Sequence, residues 1–282
     1  MHPLAALLIL CLLASPAAAG PAVLDRLTLR HDLLGWEGVG RLDLGSGGFC
    51  TGVLIAPNRV LTAAHCLEPA RVRGDVRSLR FRAGLSDGAA VAEAGVARAV
   101  IHPDYHRAGG LTAENIAADV ALVELDRPIP AATAAPFRVA AAPDAGARVS
   151  VVSYGAGRAE APSRQAACSV LGRAPGLVAL DCAVTHGSSG APVFDLSVSP
   201  ARVVSLVSSG GEGRAFGMDL PAAVDTLRHA FATGGGVFPK RDLTPRRIGP
   251  GARETEGTGA KFLRPPPAWP VPLTGGKSLL RE

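Results

Sequence analysis

Three short segments of the sequence hold residues that together could activate a hydroxyl group for attack on a carbonyl carbon. The first segment ends in His65, the second places Asp119 directly before an apolar run, and the third contains Ser189 in a glycine-rich turn. A histidine can accept the proton of a serine hydroxyl near neutral pH, and a carboxylate can orient that histidine. The residue types therefore indicate nucleophilic catalysis by a serine.

The histidine segment covers residues 49–66, FCTGVLIAPNRVLTAAHC, and reads as two apolar strands joined by a Pro-Asn turn. A bridge between Cys50 and Cys66 would staple the end of this unit and hold the backbone that carries His65. The segment resembles the histidine motif of trypsin-like serine peptidases. A lone histidine would favour a structural role, but agreement over so many positions favours catalysis.

The acidic segment covers residues 115–125, NIAADVALVEL, with Asp119 at the start of the apolar strand. A partly buried carboxylate is costly unless a donor meets it, and an imidazole N–H is such a donor. The segment is similar to the family's N-x-x-x-D-[IV]-A-L motif. Taken alone, Asp119 could equally cap a turn, as we expect of Asp104 and Asp126.

The serine segment covers residues 185–194, THGSSGAPVF, and resembles the family's nucleophile motif G-[DNS]-S-G-[GSA]-P. Ser189, and not Ser188, falls at the nucleophile position. Glycine supplies the dihedral angles with which such a turn presents a hydroxyl. The resemblance further implies that the backbone N–H groups of Gly187 and Ser189 form an oxyanion hole.

The chain order His, Asp, Ser is that of the chymotrypsin-type triad. The resemblance spans roughly residues 36–232, is closer to bacterial members, and implies a serine endopeptidase that hydrolyses a protein or peptide substrate through an acyl-enzyme. It implies no cofactor and no metal. The alternative is a catalytically inactive trypsin-like homologue that acts as a binding or adhesion module, although such a protein would typically lose one member of the triad.

Substrate preference is predicted by counting from the nucleophile without gaps. The base of the specificity pocket then falls at Ala183 and its wall at Ser208 to Gly210, with His186 beside the oxyanion loop. No acid stands at the base, so a demand for Arg or Lys is not supported. His186 and Thr185 raise the alternative of acidic substrates, but the opposing wall lacks the histidine that this would need. We expect a small or apolar residue before the cut.

Activation by a newly freed N-terminus is not expected for this chain. In trypsin itself an aspartate stands at the position of Ser188 and pairs with that terminus, and no Ile-Val-Gly-Gly-like start follows a basic site here. Residues 20–35 are predicted to be an N-terminal arm or a removable propeptide, and both readings stay open.

The elements that must position these residues are short strands. Apolar runs of four to eight residues rich in Val and Ile, bounded by turn residues, predict strands between residues 49 and 209. One helix is predicted over residues 220–232 from its three- and four-residue apolar spacing. The pattern favours an all-β barrel or sandwich. The resemblance implies two packed six-stranded antiparallel β-barrels of the chymotrypsin-like kind with a C-terminal helix.

The first 19 residues have the layout of a secretory signal peptide, with a short apolar run that ends in an A-x-A pattern. Removing them leaves four cysteines, and an even count in an oxidising compartment favours two disulfides. Three pairings are open, of which the local one closes two short loops, Cys50 with Cys66 and Cys168 with Cys182. We expect a secreted or periplasmic protein. A zinc site is disfavoured because no C-x-x-C pair is present.

The net charge of +5 lies in a tail and not in the domain. Residues 233–282 carry nine Lys or Arg against four acids, which equals the net charge of the whole chain. This stretch is rich in Gly and Pro without apolar periodicity, so we predict a basic, disordered tail. A solvated tail is the first reading, and contact with anionic envelope polymers is the alternative. We expect a monomer that binds no nucleic acid.

Overall fold

The computed structural model describes residues 24–45, 47–211 and 213–240. The predicted signal peptide and residues 241–282 of the predicted tail lie outside these residues. The strands of the described part are β1 Leu24–Arg26, β2 Val39–Asp43, β3 Phe49–Ala56, β4 Arg59–Thr62, β5 Arg80–Ala83, β6 Ala92–Ile101, β7 Ala121–Leu125, β8 Arg138–Val139, β9 Arg148–Gly155, β10 Arg158–Ala174, β11 Leu177–Leu180, β12 Pro192–Asp195, β13 Arg202–Gly211 and β14 Arg214–Met218. The helices are α1 Ala64–Arg73, α2 Ala113–Ala117 and α3 Leu220–Thr233, with a 3-10 turn at Arg107–Gly109.

Strands β2 to β7 close into an antiparallel barrel in the order β2-β3-β4-β7-β6-β5. Each strand turns alternate side chains inward, because successive side chains point to opposite faces. The interior is filled by Leu, Val and Ala around Phe81, which is fully buried. Helix α1 leaves this barrel directly after β4, which places His65 at the barrel's rim.

The second barrel contains β9 to β14. Its strands pair in the order β9-β10-β11-β14-β13-β12, and pairing of β12 with β9 closes the ring. Two short strands join from outside, β1 antiparallel to β10 and β8 parallel to β13. Valine dominates the interior, together with Cys168 and Cys182. The predicted fold of two six-stranded antiparallel barrels is therefore confirmed.

The two barrels share a third apolar cluster to which both contribute. Tyr154 of β9 is fully buried there, and its hydroxyl donates to the carbonyl of Leu85 at 2.9 Å. The rings of Trp36 and Phe194 meet edge to face with centroids 5.0 Å apart. Because this cluster joins the barrels, it fixes the cleft between them.

Helix α3 confirms the predicted C-terminal helix, with Pro221 in its first turn and Leu220, Val224 and Leu227 buried against both barrels. The chain continues past the helix, and Phe238 exchanges two backbone hydrogen bonds with Ala99 and is buried. The packed part of the chain therefore extends beyond the predicted boundary at 232.

Both local disulfides are formed, Cys50 with Cys66 and Cys168 with Cys182. Each closes a loop of fewer than twenty residues, for which the chain-entropy model gives about 3 kcal/mol. None of the helices in residues 24–45, 47–211 and 213–240 has the length and apolar character needed to cross a membrane.

Candidate active site

His65 and Asp119 form a close pair at the cleft between the barrels. The Nδ1 atom of His65 lies 2.8 Å from Oδ2 of Asp119, and the backbone N–H of His65 donates to Oδ1 at 2.9 Å. The imidazole is 36% exposed, whereas the carboxylate is 5% exposed. Because Nδ1 faces the carboxylate, Nε2 is the nitrogen left to face a substrate or a nucleophile.

The position of His65 follows from its place in the first barrel. It is the second residue of α1, and the disulfide from Cys66 to Cys50 ties the helix to β3. The hydroxyl of Thr62, at the end of β4, donates to the carbonyl of Thr51 in β3 at 2.9 Å. The backbone on both sides of His65 is thus fastened to one strand.

Asp119 is positioned by the loop that precedes it, and Asn115 organises that loop. The Asn115 amide nitrogen donates to the carbonyl of Gly110 at 2.8 Å, and its oxygen accepts the N–H of His106 at 2.9 Å. Thr112 caps α2 by accepting the N–H of Asn115. The Asn115 side chain therefore holds residues 106–115 together through hydrogen bonds to the backbone. The sequence motif did not reveal this role.

Ser208 of β13 supplies a third donor to the carboxylate. Its hydroxyl lies 2.6 Å from Oδ2 of Asp119, and both residues are buried. The sequence prediction placed Ser208 on the wall of the specificity pocket. The structure places it on the lining of the Ser189 cavity and also against Asp119, so a residue of the second barrel holds the carboxylate of the first.

Ser189 lies in a turn that is bonded to both barrels. Its carbonyl accepts the N–H of Thr51 at 2.9 Å, and the N–H of Gly190 donates to the carbonyl of Val207 at 2.7 Å. Gly190 has a φ of +77°, and a Cβ atom there would be 2.3 Å from the carbonyl oxygen of Thr51. Only glycine allows the turn to approach the first barrel so closely.

The Ser189 hydroxyl makes no hydrogen bond with His65, although the structure describes both residues. Ser189 lines a cavity of about 410 Å³, and His65 and Asp119 line a neighbouring cavity of about 310 Å³. Ser208 lines both cavities, so the two are adjacent. In unliganded enzymes catalytic hydrogen bonds are often long and tighten only when substrate binds.

The backbone N–H groups of Gly187 and Ser189 are the oxyanion donors that the sequence analysis predicts. The carbonyl of His186 accepts the N–H of Ala156 at 2.7 Å, and the carbonyl of Gly187 accepts the hydroxyl of Thr51 at 2.9 Å. In a trans peptide the N–H points away from the preceding carbonyl, so the Gly187 N–H faces away from Ala156. Within the described residues, the N–H groups of Gly187 and Ser189 have no acceptor, which leaves both free for an oxyanion.

Gly187→Ala is expected to lower kcat/KM by about 10²- to 10³-fold, the usual effect of losing one oxyanion-hole donor. The residue has a φ of +90°, and a Cβ atom would lie 2.4 Å from the ring of Phe49, so the peptide must shift. Steady-state kinetics measure the loss. Gly146→Ala is the matched control, because Gly146 has a φ of +86° but its Cβ would meet nothing within 4 Å. Equal losses in both variants would show that backbone strain alone is responsible.

The predicted specificity-pocket residues are brought together with one exception. His186, Ser208 and Gly210 line the Ser189 cavity, whereas Ala183 does not, and its N–H donates to the side chain of Gln165 at 2.8 Å. Val184 lines the cavity in place of Ala183. Its side chain packs against Gly210 so closely that a Cβ atom on Gly210 would lie 2.3 Å from it. Among the residues that the structure describes, no acid lines this cavity.

Tyr105 lines the cavity of His65 and Asp119. Burial, together with the negative charges of Asp119 and Glu68, raises the pKa of Tyr105 to about 12. Its phenol is therefore neutral at physiological pH and adds no charge beside the catalytic candidates.

One group of metal-type donors contains the candidate base, since atoms of Cys50, His65 and Cys66 lie within 4.8 Å of one another. The two sulfur atoms are joined in a disulfide and offer no thiolate, the ligand form that zinc requires. These residues therefore do not fit a metal site in this state.

Two antiparallel six-stranded barrels with a His-Asp pair and a serine turn at their junction define the chymotrypsin-like class of serine peptidases. A family model described as trypsin-like peptidase domain matches residues 50–199, more than half of the chain. The chain belongs to the trypsin-like peptidase family.

Two solved structures show the same fold at low sequence identity. A Glu endopeptidase in complex with MPD has a TM-score of 0.60 and 19% identity over 74% of this chain and 97% of its own. An inactivated protease paralogue of the scabies mite has a TM-score of 0.57 and 15% identity over 77% of this chain and 97% of its own. The fold is thus shared by an endopeptidase and by an inactivated paralogue, so activity must be argued from the site.

Proposed function

We propose that the protein is a secreted serine endopeptidase that cleaves peptide bonds through an acyl-enzyme. The observation that carries the proposal is the buried carboxylate of Asp119, which accepts three hydrogen bonds and holds His65 beside the cavity of Ser189. A carboxylate with this arrangement fixes the imidazole in one tautomer.

Ser189 Oγ attacks the carbonyl carbon of the scissile bond, and His65 Nε2 accepts its proton. The oxygen of the tetrahedral intermediate takes up negative charge between the N–H groups of Gly187 and Ser189. His65 then gives the proton to the leaving amine, and the acyl group stays on Ser189. A water molecule, deprotonated by His65, releases the acid and restores the serine.

The arrangement of the oxyanion turn supports an active enzyme over the inactive binding module. All three proposed triad members are present, and the His186 carbonyl accepts the N–H of Ala156. This hydrogen bond supports a turn in which the Gly187 N–H stays available to the intermediate, a preorganisation that an inactive homologue would not need.

The cavity beside Ser189 supports a preference for a small or apolar residue before the cut. Val184 and Val207 line it, and Val184 packs against Gly210, which limits its depth. Within the described part of the chain, His186 is the titratable side chain that lines it. The two disulfides and the signal-like first 19 residues support export of the protein. An exported enzyme would act outside the cell or in the periplasm.

Labelling with a fluorophosphonate tests the proposal. The purified mature protein is expected to take up one probe molecule, which peptide mapping by mass spectrometry places on Ser189, while heat-unfolded protein stays unlabelled, since the reaction requires the activated serine. The same preparation, offered a peptide library, is expected to cut after small or apolar residues. A natively folded protein that takes up no probe would support the inactive module, and cutting after Arg or Lys would overturn the pocket assignment.

A further inference from the structure

Arg158 lies behind the turn that carries Ser189. It begins β10, and its half-buried guanidinium donates to the carbonyl of Ser153, to the Ser153 hydroxyl at 3.0 Å and to the Ser188 hydroxyl at 3.2 Å. The Nε atom is buried without a partner. Among the described residues no carboxylate pairs with this cation.

The Ser188 hydroxyl is completely buried and its hydrogen-bonding capacity is filled. It accepts from Arg158 and from the N–H of Thr185 at 3.3 Å, and it lies 3.3 Å from both the Ser153 hydroxyl and the Tyr154 carbonyl. A serine hydroxyl has one donor and two acceptor positions, so these contacts satisfy it. Because Ser188 stands between the two proposed oxyanion donors, its position determines theirs.

Arg158 is a partly buried cation that has no counter-charge among the described residues. Its desolvation is offset only by hydrogen bonds to neutral groups, so stability alone does not account for it. Burial lowers the pKa of Arg158, but an arginine side chain remains charged at neutral pH. A hydrogen bond from a charged donor is stronger than a neutral one, and the charge also favours negative charge on the neighbouring turn. Both effects act where the acyl-transfer intermediate would form.

We propose that Arg158 is the positioning residue of the oxyanion turn. Its guanidinium donates to the Ser188 hydroxyl and so fixes the turn that carries the two oxyanion donors. The chain therefore supplies this cation from its own sequence and does not depend on an α-amino group freed by proteolysis. The proposal rests on the proposed peptidase function.

The N-terminal arm fits this assignment. Leu24–Arg26 pairs with β10, and Leu27 and Leu33 are buried in the cluster shared by the barrels. Residues 24–35 are therefore packed parts of the fold, and we infer that they are retained in the active protein.

Arg158→Gln is expected to lower kcat by about 10- to 100-fold while KM changes by less than about threefold, since a loosened donor costs less than a deleted one. Arg158→Lys is expected to recover part of the loss, because it keeps the charge. The matched control is Arg164→Gln on the same strand, whose Nε is also buried without a partner but whose side chain faces Trp36 and Asp25. Losses in kcat of equal size in both variants would overturn the proposal.

A coupling experiment identifies the partner of Arg158. Ser188→Asp is expected to cost less than about tenfold in kcat when Arg158 is present, because the two would pair, and far more in the Arg158→Gln background. Identical effects in both backgrounds would show that Arg158 does not act through this turn. Blocking the α-amino group of the mature protein with an uncleavable extension is expected to leave kcat unchanged, and loss of activity would assign the cation's role to that amine.

Hydrogen exchange over residues 184–191 gives a readout that does not depend on catalysis. Wild-type protein is expected to exchange the hydrogen-bonded amides of Ser188, Gly190 and Ala191 more slowly than Arg158→Gln, while exchange in the first barrel stays equal. Unchanged exchange would overturn the positioning role even in a protein that takes up no probe. Conversely, slow exchange in a protein that cannot be labelled would leave the Arg158 assignment standing and refute the peptidase function.

Discussion

Ser189→Ala is expected to lower kcat by about a millionfold without unfolding the protein, the scale seen when a triad serine is removed. Alanine keeps the turn, whose contacts to Thr51 and Val207 are made by backbone atoms. It removes only the atom that would bond to the substrate carbonyl. The residual rate would come from binding and from the oxyanion donors.

Ser197→Ala is the control for this variant, because Ser197 lies in the exposed loop after β12 and its side chain is remote from both cavities. Steady-state kinetics on a peptide substrate and thermal unfolding should be measured on all three proteins. If Ser189→Ala keeps more than about a hundredth of the wild-type rate, another nucleophile performs the reaction and the proposed mechanism is wrong.

Asp119→Asn is expected to lower kcat by about 10⁴-fold, as the corresponding change does in the trypsin triad used as a general template. The wild-type carboxylate accepts from the His65 backbone, the His65 ring and Ser208. An amide can accept at one of its atoms only, so its NH₂ group must face one of these donors. Turning the NH₂ toward the ring would favour the wrong imidazole tautomer.

Two further variants distinguish the effect of Asp119 on the His65 tautomer from the effect of removing a donor or a negative charge elsewhere. Ser208→Ala keeps the carboxylate and removes one of its three donors, so a loss of only about tenfold is expected. Asp104→Asn removes a carboxylate that is 83% exposed and should leave kcat unchanged. An Asp119→Asn enzyme that retained most of the wild-type rate would mean that Asp119 is a structural cap, the alternative that its sequence position alone left open.

The comparison structures show that catalytic activity has to be argued from the site, because the fold alone does not establish it. An endopeptidase and an inactivated paralogue both resemble this chain at TM-scores near 0.6. A fold of this kind can therefore be kept after its activity is gone. The free N–H groups beside Ser189 and the three-donor carboxylate are the features of this chain that variants must test.

Short stretches of sequence were enough to predict the strands around the site and the C-terminal helix. Apolar runs bounded by turn residues predicted the strands around His65 and Asp119, and three- and four-residue spacing predicted α3. The local cysteine pairing is present, because the two loops it closes are short. The three residues proposed for the chemistry could be predicted because each belongs to a contiguous motif.

Contacts across the barrels could be decided only by the tertiary structure. Ser208 and Asp119 are 89 residues apart, and their hydrogen bond exists because the second barrel, which contains β13, packs against the first barrel near the start of β7. Counting without gaps predicted Ala183 for the pocket, but in the loop after β11 it is Val184 that lines the Ser189 cavity.

Arg158 illustrates the same limit for charge. In the sequence it is one of 29 Lys and Arg residues with no motif around it. The role proposed for Arg158 rests on its partial burial and on its hydrogen bond to Ser188, 30 positions away in the chain. Short contiguous motifs were enough to predict which residues could do the chemistry. Which groups hold those residues in place was decided by the packing of two closed barrels, because that packing joins segments far apart in the chain.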